Sequence, residues 1–282
     1  MTDHSADALT YEAGIRQWQQ DVETKLRADD GWLTLTGLHW LHEGANTLGS
    51  DPLTDVTLPE SAPAQLGVVE FAAGVAMLHI TADATVTVDG VPTRQATLRS
   101  DHAVGGASLV KIGSVTFFLI ERGGDYAIRV RDSQHPALKT FDGRYWFPIQ
   151  PEYRVVGQFT AHETPRVVQV VTSSGHPEPM TNVGRVTFTL NGQALALEAL
   201  EASEHEIWFV FKDGTSARST YGGGRFLYAP LDEDGRVDLD FNKAYHPPCA
   251  FTAFATCPRP VPENCLTLEI PAGERYKTPL KG

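Results

Sequence analysis

Residues 185–199 read RVTFTLNGQALALEA, and this stretch decides the fold class. Apolar and polar side chains alternate on both sides of Asn191-Gly192, as they do in half-buried strands. Asn-Gly between two alternating runs favours a type I′ turn, in which both central residues take positive φ angles. We therefore predict a β-hairpin with strands Arg185–Leu190 and Ala194–Ala199.

Short runs of the same kind recur along most of the chain. Glycine-containing turns separate them, among them Asp89-Gly90, Gly113-Ser114 and Asp213-Gly214. Short strands at regular spacing with such turns are typical of antiparallel sandwiches, so the sequence predicts a mainly β fold. The other predicted strands are Trp32–Leu35, Gly67–Phe71, Ala76–Ile80, Thr85–Val88, Ser108–Ile112, Val115–Glu121, Tyr126–Val130, Tyr153–Phe159, Arg166–Val171, Glu206–Phe211, Arg225–Tyr228 and Arg236–Phe241.

One segment, Thr10–Asp29, has the period of a helix instead. Its apolar residues recur at steps of three and four, which places them on one helical face: Ile15, Trp18, Val22 and Leu26. Because a single short helix does not fold alone, we expect the Trp18 face to dock on the structure that follows.

A polar stretch, Asp132–Lys139, interrupts the strands and contains the pair His135-Pro136. It is the best candidate for a boundary between domains. We expect three parts: an N-terminal tail and helix at residues 1–30, a β-sandwich at 31–132, and a second antiparallel β unit at 133–282.

The charge of the chain excludes several kinds of partner. It has 282 residues, of which 35 are acidic and 23 basic, so that its formal net charge is -12. Binding to nucleic acid or to an anionic membrane needs clustered Lys and Arg, and we expect neither partner. The polar first residues lack the features of a secretory signal, and no apolar run is long enough to cross a bilayer. We therefore expect the protein to be cytoplasmic.

Several motifs together resemble the bacterial and archaeal domain-of-unknown-function family numbered 1684. In the second half they are GGGRFLY at 222–228, DFNKAYHPPCAF at 240–251 and CP at 257–258; near the start they are GWLTL at 31–35, LGSDP at 48–52 and VTLP at 56–59. The resemblance runs from about Gly31 to Glu274. It implies no catalytic residues, since no function is assigned to that family.

A second resemblance concerns the N-terminal half, which looks like a forkhead-associated (FHA) domain. It is carried by GANTLGS at 44–50, DVTL at 55–58 and VDG at 88–90. FHA domains are β-sandwiches that bind phosphothreonine peptides, with an Arg after the glycine matched here by Gly49. This chain has Ser50 there, and the stretch Ala64–Gly67 lacks the Ser and His expected next. The resemblance therefore implies an FHA-like sandwich without phosphothreonine recognition.

Polar and aromatic residues concentrate at the predicted strand ends of the second unit. Side chains just past a strand end are held rigidly yet stay accessible, as binding groups need to be. We expect one anion-binding site there, with His246 as the acid or base. The predicted ligand-binding residues are Arg144, Tyr221, Arg225, Asn242 and Tyr245.

Three of these residues, Arg144, Arg225 and Asn242, also have a structural alternative. Gly222–Gly224 before Arg225 is typical of a bulge or tight bend, and of an anion cradle. The aromatic run around Arg144 suits packing across sheets as well as a pocket. Asn242 could cap a turn.

The three cysteines, Cys249, Cys257 and Cys265, do not form a disulfide framework. Their spacing fits a zinc site poorly, and we predict no metal. Cys249 near His246 is a candidate nucleophile, but burial as a small apolar side chain is the explanation that we favour.

Two functions remain open from the sequence. The first is binding or processing of a small anionic molecule in the second unit. The second is a non-catalytic protein-interaction module that uses the loops of the sandwich. No cofactor is indicated, and whether the protein is an enzyme stays open.

Overall fold

A computed structural model describes residues 4–203 and 205–278, with side chains from Leu9 onward except at residue 202. The ends of the predicted tail and second unit lie outside these residues. The described chain is mainly β, with several antiparallel sheets and one long N-terminal helix. The predicted fold class is thus confirmed. None of its helices is both long enough and apolar enough to cross a membrane.

Two α-helices are present in the described residues, α1 (His4–Arg27) and α2 (Ala137–Thr140). The strands are β1 (Leu35–Trp40), β2 (Gly44–Gly49), β3 (Val56–Thr57), β4 (Gly67–Ala72), β5 (Val75–Ile80), β6 (Thr87–Val88), β7 (Val91–Pro92), β8 (Gln95–Leu98), β9 (Val110–Ile112), β10 (Val115–Arg122), β11 (Asp125–Asp132), β12 (Tyr145–Trp146), β13 (Arg154–Val171), β14 (Pro177–Leu190), β15 (Gln193–Ala199), β16 (Glu201–Ala202), β17 (Glu206–Phe211), β18 (Arg225–Pro230), β19 (Arg236–Asp240) and β20 (Glu274–Arg275).

The chain divides into two compact units by its contacts. The first, here called the sandwich unit, is Leu26–Phe141. The second, here called the C-terminal unit, contains the described residues up to Lys25 and those from Asp142 onward. Most of helix α1 therefore belongs with the C-terminal strands, although it precedes the sandwich in sequence.

The sandwich unit consists of two sheets that share one apolar core. One sheet has the order β1-β11-β10-β9-β6-β7 and the other β3-β2-β4-β5-β8. Alternate residues of both sheets, among them Leu48, Val69, Phe117 and Ile128, form a single buried cluster. Burial of one face of each sheet is what an alternating sequence dictates. The pairs within the sheets are antiparallel except β2 with β3, which are parallel.

The C-terminal unit contains the hairpin predicted around Asn191-Gly192. Strands β14 and β15 pair from Leu190↔Gln193 to Gly184↔Ala199. The turn residues Asn191 and Gly192 have φ angles of 51° and 75°, as the type I′ turn requires. The hairpin belongs to the sheet β15-β14-β13-β19, whose core is shared with the sheet β16-β17-β18.

Helix α1 packs on β12 and on the segment that follows β19. The Trp18 indole contacts the rings of Trp146 and Tyr245 edge to face, with centroids 5.5 and 6.1 Å apart. Ile15, one turn earlier on the same face, is buried. The apolar face predicted from the sequence thus lies against the segment that carries the predicted site residues.

Candidate functional site

The start of β18 and the segment after β19 lie side by side in the C-terminal unit. Phe226 and Tyr245 exchange backbone hydrogen bonds of 2.9 and 3.0 Å. Gly224 turns the chain into β18 with a φ of 101°, and a Cβ atom there would lie 2.7 Å from the Phe211 carbonyl oxygen. The glycine therefore makes a tight bend that a larger residue would strain.

A buried carboxylate, Glu274, joins several of the predicted residues. Arg144 Nη1 lies 2.5 Å from Glu274 Oε2, and the backbone N–H of His246 donates to the same oxygen at 2.7 Å. The His246 ring faces the other oxygen, with Nδ1 3.6 Å from Oε1. The Arg144 side chain is 5% exposed and that of Glu274 is 2% exposed. This buried group is the centre of the candidate site.

The electrostatics of this centre differ from the expectation for His246. Burial, then the charges of Arg225 and Arg144, lower the pKa of His246 to about 3. Nε2 accepts a hydrogen bond from the Tyr221 N–H at 3.1 Å, so the single ring proton is on Nδ1. Burial raises the pKa of Glu274 to about 7 against the opposing effect of Arg144. The group that titrates near neutrality is therefore Glu274, while His246 is neutral.

Arg144 has an incomplete set of hydrogen bonds. Its guanidinium lies over the Phe251 ring, 4.7 Å from the centroid, and 5.9 Å from that of Tyr245. Its Nε atom is fully buried and has no acceptor among the described residues. The Nη1 bond to Glu274 is the one hydrogen bond that its side chain makes within that part of the chain. Buried donors usually have a partner. The Nε atom of Arg225 also lacks one among the described residues, but both of its Nη atoms donate, whereas only Nη1 of Arg144 does.

We expected Arg225 to be an accessible anion-binding residue, but its side chain is buried. Its side chain is 1% exposed, and Nη2 lies 3.2 Å from Asp213 Oδ2. The guanidinium also donates to the carbonyl oxygens of Ile270, at 3.0 Å, and Ala272. Asp213 accepts further bonds from the Thr215 hydroxyl and the Ile270 N–H, both at 2.7 Å. This pair joins the β18 strand to the chain near residue 270.

Asn242 lies in a separate network. Its side-chain NH₂ donates to the Gln150 carbonyl at 2.8 Å and to the Tyr11 hydroxyl at 3.0 Å. Its oxygen accepts from the Gln150 N–H at 3.0 Å. The turn that contains Asn242 is capped by Asp240, whose carboxylate accepts the Asn242 N–H. The structure thus brings together Arg144, Tyr221, Arg225, Tyr245 and His246, without Asn242.

A pair of thiols, Cys249 and Cys257, lies beside Tyr221. The backbone N–H of Cys249 donates to Cys257 Sγ at 3.3 Å, and the Tyr221 hydroxyl donates to the Cys249 carbonyl oxygen at 3.1 Å. Cys265 is exposed and bonds Val261 instead. All three residues are thiols rather than disulfides. The described residues contain no cluster of three His, Cys, Asp or Glu that could hold a metal ion.

Two cavities, of about 840 and 430 Å³, open on another part of the C-terminal unit. They adjoin each other, because Val155, Val156 and Arg236 line both. None of the six predicted site residues lines either cavity.

Three important residues had no sequence signal that we recognised: Glu274, Asp213 and Ser173. Glu274 and Asp213 are isolated carboxylates, and their burial beside arginines depends on the tertiary fold. Asp213 precedes a glycine and was interpreted only as a turn residue. Ser173 accepts the backbone N–H of Cys257, and nothing in the local sequence of either residue indicates this contact.

Comparison with known proteins places the second half of the chain in a family. The model of the family "Protein of unknown function (DUF1684)" matches residues 139–275. An uncharacterised protein of Haloarcula marismortui, solved by NMR, is 35% identical over 49% of this chain and 78% of its own, with a TM-score of 0.40.

FHA domains are also similar over a third of the chain. One comes from a study of phosphothreonine-dependent FHA interactions and another is the FhaA FHA domain in complex with the intracellular domain of another protein. Both are 18% identical over 33% of this chain, with TM-scores of 0.23, and 92% and 97% of those domains are covered. No functionally curated protein matches the chain. The DUF1684 match over residues 139–275 confirms the resemblance of the motifs at 222–258 and does not extend to those at 31–59. Together with the 35% identity to the haloarchaeal protein, it shows that the chain belongs to the DUF1684 family of proteins of unknown function.

Proposed function

We propose that the C-terminal unit binds a small anionic molecule at Arg144. The observation that carries this proposal is the buried Nε of Arg144, a donor on a cationic group with no acceptor among the described residues. A buried donor without a partner costs free energy, which an anionic oxygen of a ligand would recover. Nε–H and one Nη2–H of a guanidinium lie on the same edge, and carboxylates and phosphates bind that edge through two parallel hydrogen bonds.

The charges around Arg144 support an anion rather than a neutral ligand. Arg144 and Arg225 both lower the pKa of His246, which reports a positive field at this position in a protein of net charge -12. A local positive field can attract an anion to an acidic protein. In this proposal Arg144 binds the anion, with Tyr245 as a further contact. Tyr221, Arg225 and His246 hold Arg144 and Glu274 in place, and Asn242 supports the adjacent turn.

Glu274 makes the proposed binding depend on pH. Its carboxylate competes with a ligand for the Arg144 guanidinium, and protonation removes that competition. Because its pKa is about 7, the protonated fraction falls about tenfold between pH 6 and pH 8. The same proton could be passed to a bound substrate, so Glu274 is the acid or base of the catalytic form of this proposal.

The experiment is a calorimetric titration of the full chain with acetate and, separately, inorganic phosphate, in cationic buffers at pH 6 and pH 8. We expect at least one anion to bind the wild type, about tenfold more tightly at pH 6. The double variant Arg144→Gln/Glu274→Gln removes both charges together and should abolish binding. Arg218→Gln, which removes a surface arginine paired with Glu269, is the matched control.

Absence of binding by the wild type, or equal binding by the double variant, would contradict an anion site at Arg144. Equal affinities at the two pH values would still agree with anion binding at Arg144. They would show that the Glu274 carboxylate does not compete with the anion for the Arg144 guanidinium.

A specific surface of the sandwich unit favours a second function, a protein-interaction module without phosphothreonine recognition. We call it the Asp89 corner, and its exposed apolar side chains are Val91, Val104 and Leu109. They are 63%, 101% and 48% exposed. Clustered exposed apolar residues mark interaction sites more often than isolated ones do.

The Asp89 corner is held in shape by hydrogen bonds. Asp89 and Leu109 are joined by two bonds of 2.9 Å, one from each backbone N–H. Arg99 donates to Asp89 at 3.0 Å and to the Gly106 carbonyl at 3.3 Å, which ties the loop carrying Val104 to the same corner. A preformed surface of this kind loses little conformational entropy on binding.

We expect Val104→Asp to abolish co-purification of a protein partner with the tagged full chain from its own cells, as measured by quantitative mass spectrometry. The charge would have to be desolvated at an apolar interface. Val75→Asp, an exposed valine of another turn, is the control and should retain the partner. The proposal of an interaction module would be refuted if no protein co-purified with the wild type, or if both variants retained the partner equally. The cytoplasmic location stays a prediction from the sequence.

A further inference from the structure

Cys249 and Cys257 are held together by groups on two different segments. Cys257 is fixed by Ser173, whose backbone N–H donates to the Cys257 carbonyl at 2.7 Å and whose Oγ accepts the Cys257 N–H at 3.0 Å. Cys249 is fixed by the Tyr221 hydroxyl and by its own N–H, which donates to Cys257 Sγ at 3.3 Å. The Cys257 sulfur thus lies 3.3 Å from the backbone nitrogen of Cys249, and the two thiols, eight residues apart, are close enough to hydrogen-bond.

The two thiols differ in exposure and in the hydrogen-bond donors that surround them. Cys257 is buried, with 7% of its surface exposed, whereas Cys249 is half-buried. A hydrogen bond from the Cys257 thiol is the main reason that the pKa of Cys249 falls to about 6. The hydroxyls of Tyr221 and Ser173 also lie within reach of the thiolate. Each of these hydroxyls has a single proton and already donates it to a carbonyl oxygen. The Cys257 thiol is therefore the donor most available to the Cys249 thiolate.

We propose that Cys249 and Cys257 form a dithiol that hydroperoxides oxidise, in which Cys249 attacks and Cys257 resolves. The more accessible thiol meets the oxidant first, and the buried one already lies close enough to hydrogen-bond with it. This inference rests on different contacts from the anion site and stands independently of it.

The chemistry balances with one molecule of hydrogen peroxide. The Cys249 thiolate attacks a peroxide oxygen; the S–O bond forms, the O–O bond breaks, and hydroxide leaves and is protonated to water. The product is a sulfenic acid. Cys257 then loses its proton and attacks the Cys249 sulfur; the S–S bond forms, the S–O bond breaks, and hydroxide leaves with that proton as a second water. A dithiol reductant reverses the oxidation by thiol–disulfide exchange.

The first test treats the full chain with one equivalent of hydrogen peroxide, followed by alkylation in denaturant and peptide mass mapping. We expect the wild type to lose two hydrogen atoms and to yield a peptide cross-linked between Cys249 and Cys257. Cys265 should remain alkylated, because it lies apart from the pair although it is exposed. Preferential oxidation of Cys265, or unchanged alkylation of all three thiols, would overturn the proposal.

Single substitutions then separate the two roles. Cys257→Ser should stop at the sulfenic acid, which dimedone labels at Cys249, whereas Cys249→Ser should leave Cys257 unoxidised under the same dose. Cys265→Ser is the matched control and should behave as the wild type. Circular dichroism confirms that each variant folds, and the wild-type cross-link itself tests the proposal should a variant fail to fold. Dimedone labelling of Cys257 in place of Cys249 would reverse the assigned roles and so contradict the proposal.

The pH dependence of alkylation gives an independent check. The rate of iodoacetamide modification at Cys249 should reach half its plateau near pH 6. The midpoint is the decisive quantity, because a lower pKa also lowers intrinsic nucleophilicity and leaves rates at neutral pH similar. A Cys249 midpoint near that of an ordinary thiol would contradict the attacking role.

Discussion

Arg225→Met should lower the free energy of unfolding by about 3–5 kcal/mol, the usual cost of breaking a buried ion pair by removing one partner. The guanidinium of Arg225 is completely buried, and its loss leaves the Asp213 carboxylate without a counter-charge in the interior. The carbonyl oxygens of Ile270 and Ala272 lose their donors in the same step. Urea denaturation followed by tryptophan fluorescence measures the change.

Two further variants show whether the charge or the shape of Arg225 matters. Arg225→Met/Asp213→Asn should recover part of the loss, because no uncompensated charge then remains buried. Arg218→Met removes an arginine of an exposed pair and should change stability far less. If the double variant were as unstable as Arg225→Met, the lost bonds to Ile270 and Ala272 would account for the effect instead of the charge.

The long strand β13 shows where sequence patterns fail for the fold. The sequence predicts two strands, Tyr153–Phe159 and Arg166–Val171, separated by polar residues and Pro165. The structure has one strand with an irregular register between Ala161 and Arg166. Among the described residues no strand pairs with β13 on the β19 side beyond Gln158. Pro165 lies where the register with β14 is interrupted, so it removes no ladder bond. Edge position depends on topology, which local sequence does not contain.

The candidate site was partly predictable for a related reason. Tyr221, Arg225, Tyr245 and His246 lie close in sequence to predicted strand ends, and adjacent strands bring their ends together. Glu274 follows an unpatterned stretch, and nothing local indicates that it is buried. The charge state of His246 depends on that burial and on two arginines distant in sequence. Local patterns therefore indicate which of these residues lie together, while their ionisation follows from the tertiary structure.

The contribution of Glu274 should make the wild type less stable as the pH rises from 4.5 to about 7, and the variant Glu274→Gln should lack this contribution. The pKa of Glu274 is raised from 4.5 to about 7 in the folded protein, so between these values the folded state holds a proton that the unfolded state has released. Stability conferred by this group is therefore complete below pH 4.5 and declines until about pH 7. The shift corresponds to about 3 kcal/mol.

The difference in unfolding free energy between the wild type and Glu274→Gln separates the contribution of Glu274 from that of His246. The pKa of His246 is lowered from 6.5 to about 3, so its contribution has the opposite sign: stability rises with pH between these values. Both proteins contain His246, so its contribution largely cancels when their unfolding free energies are subtracted. Relative to the wild type, Glu274→Gln should gain about 3 kcal/mol between pH 4.5 and pH 7.5, measured by urea denaturation at each pH. A constant difference across this range would mean that Glu274 is ionised throughout, held so by Arg144, and would also remove the basis for pH-dependent anion binding.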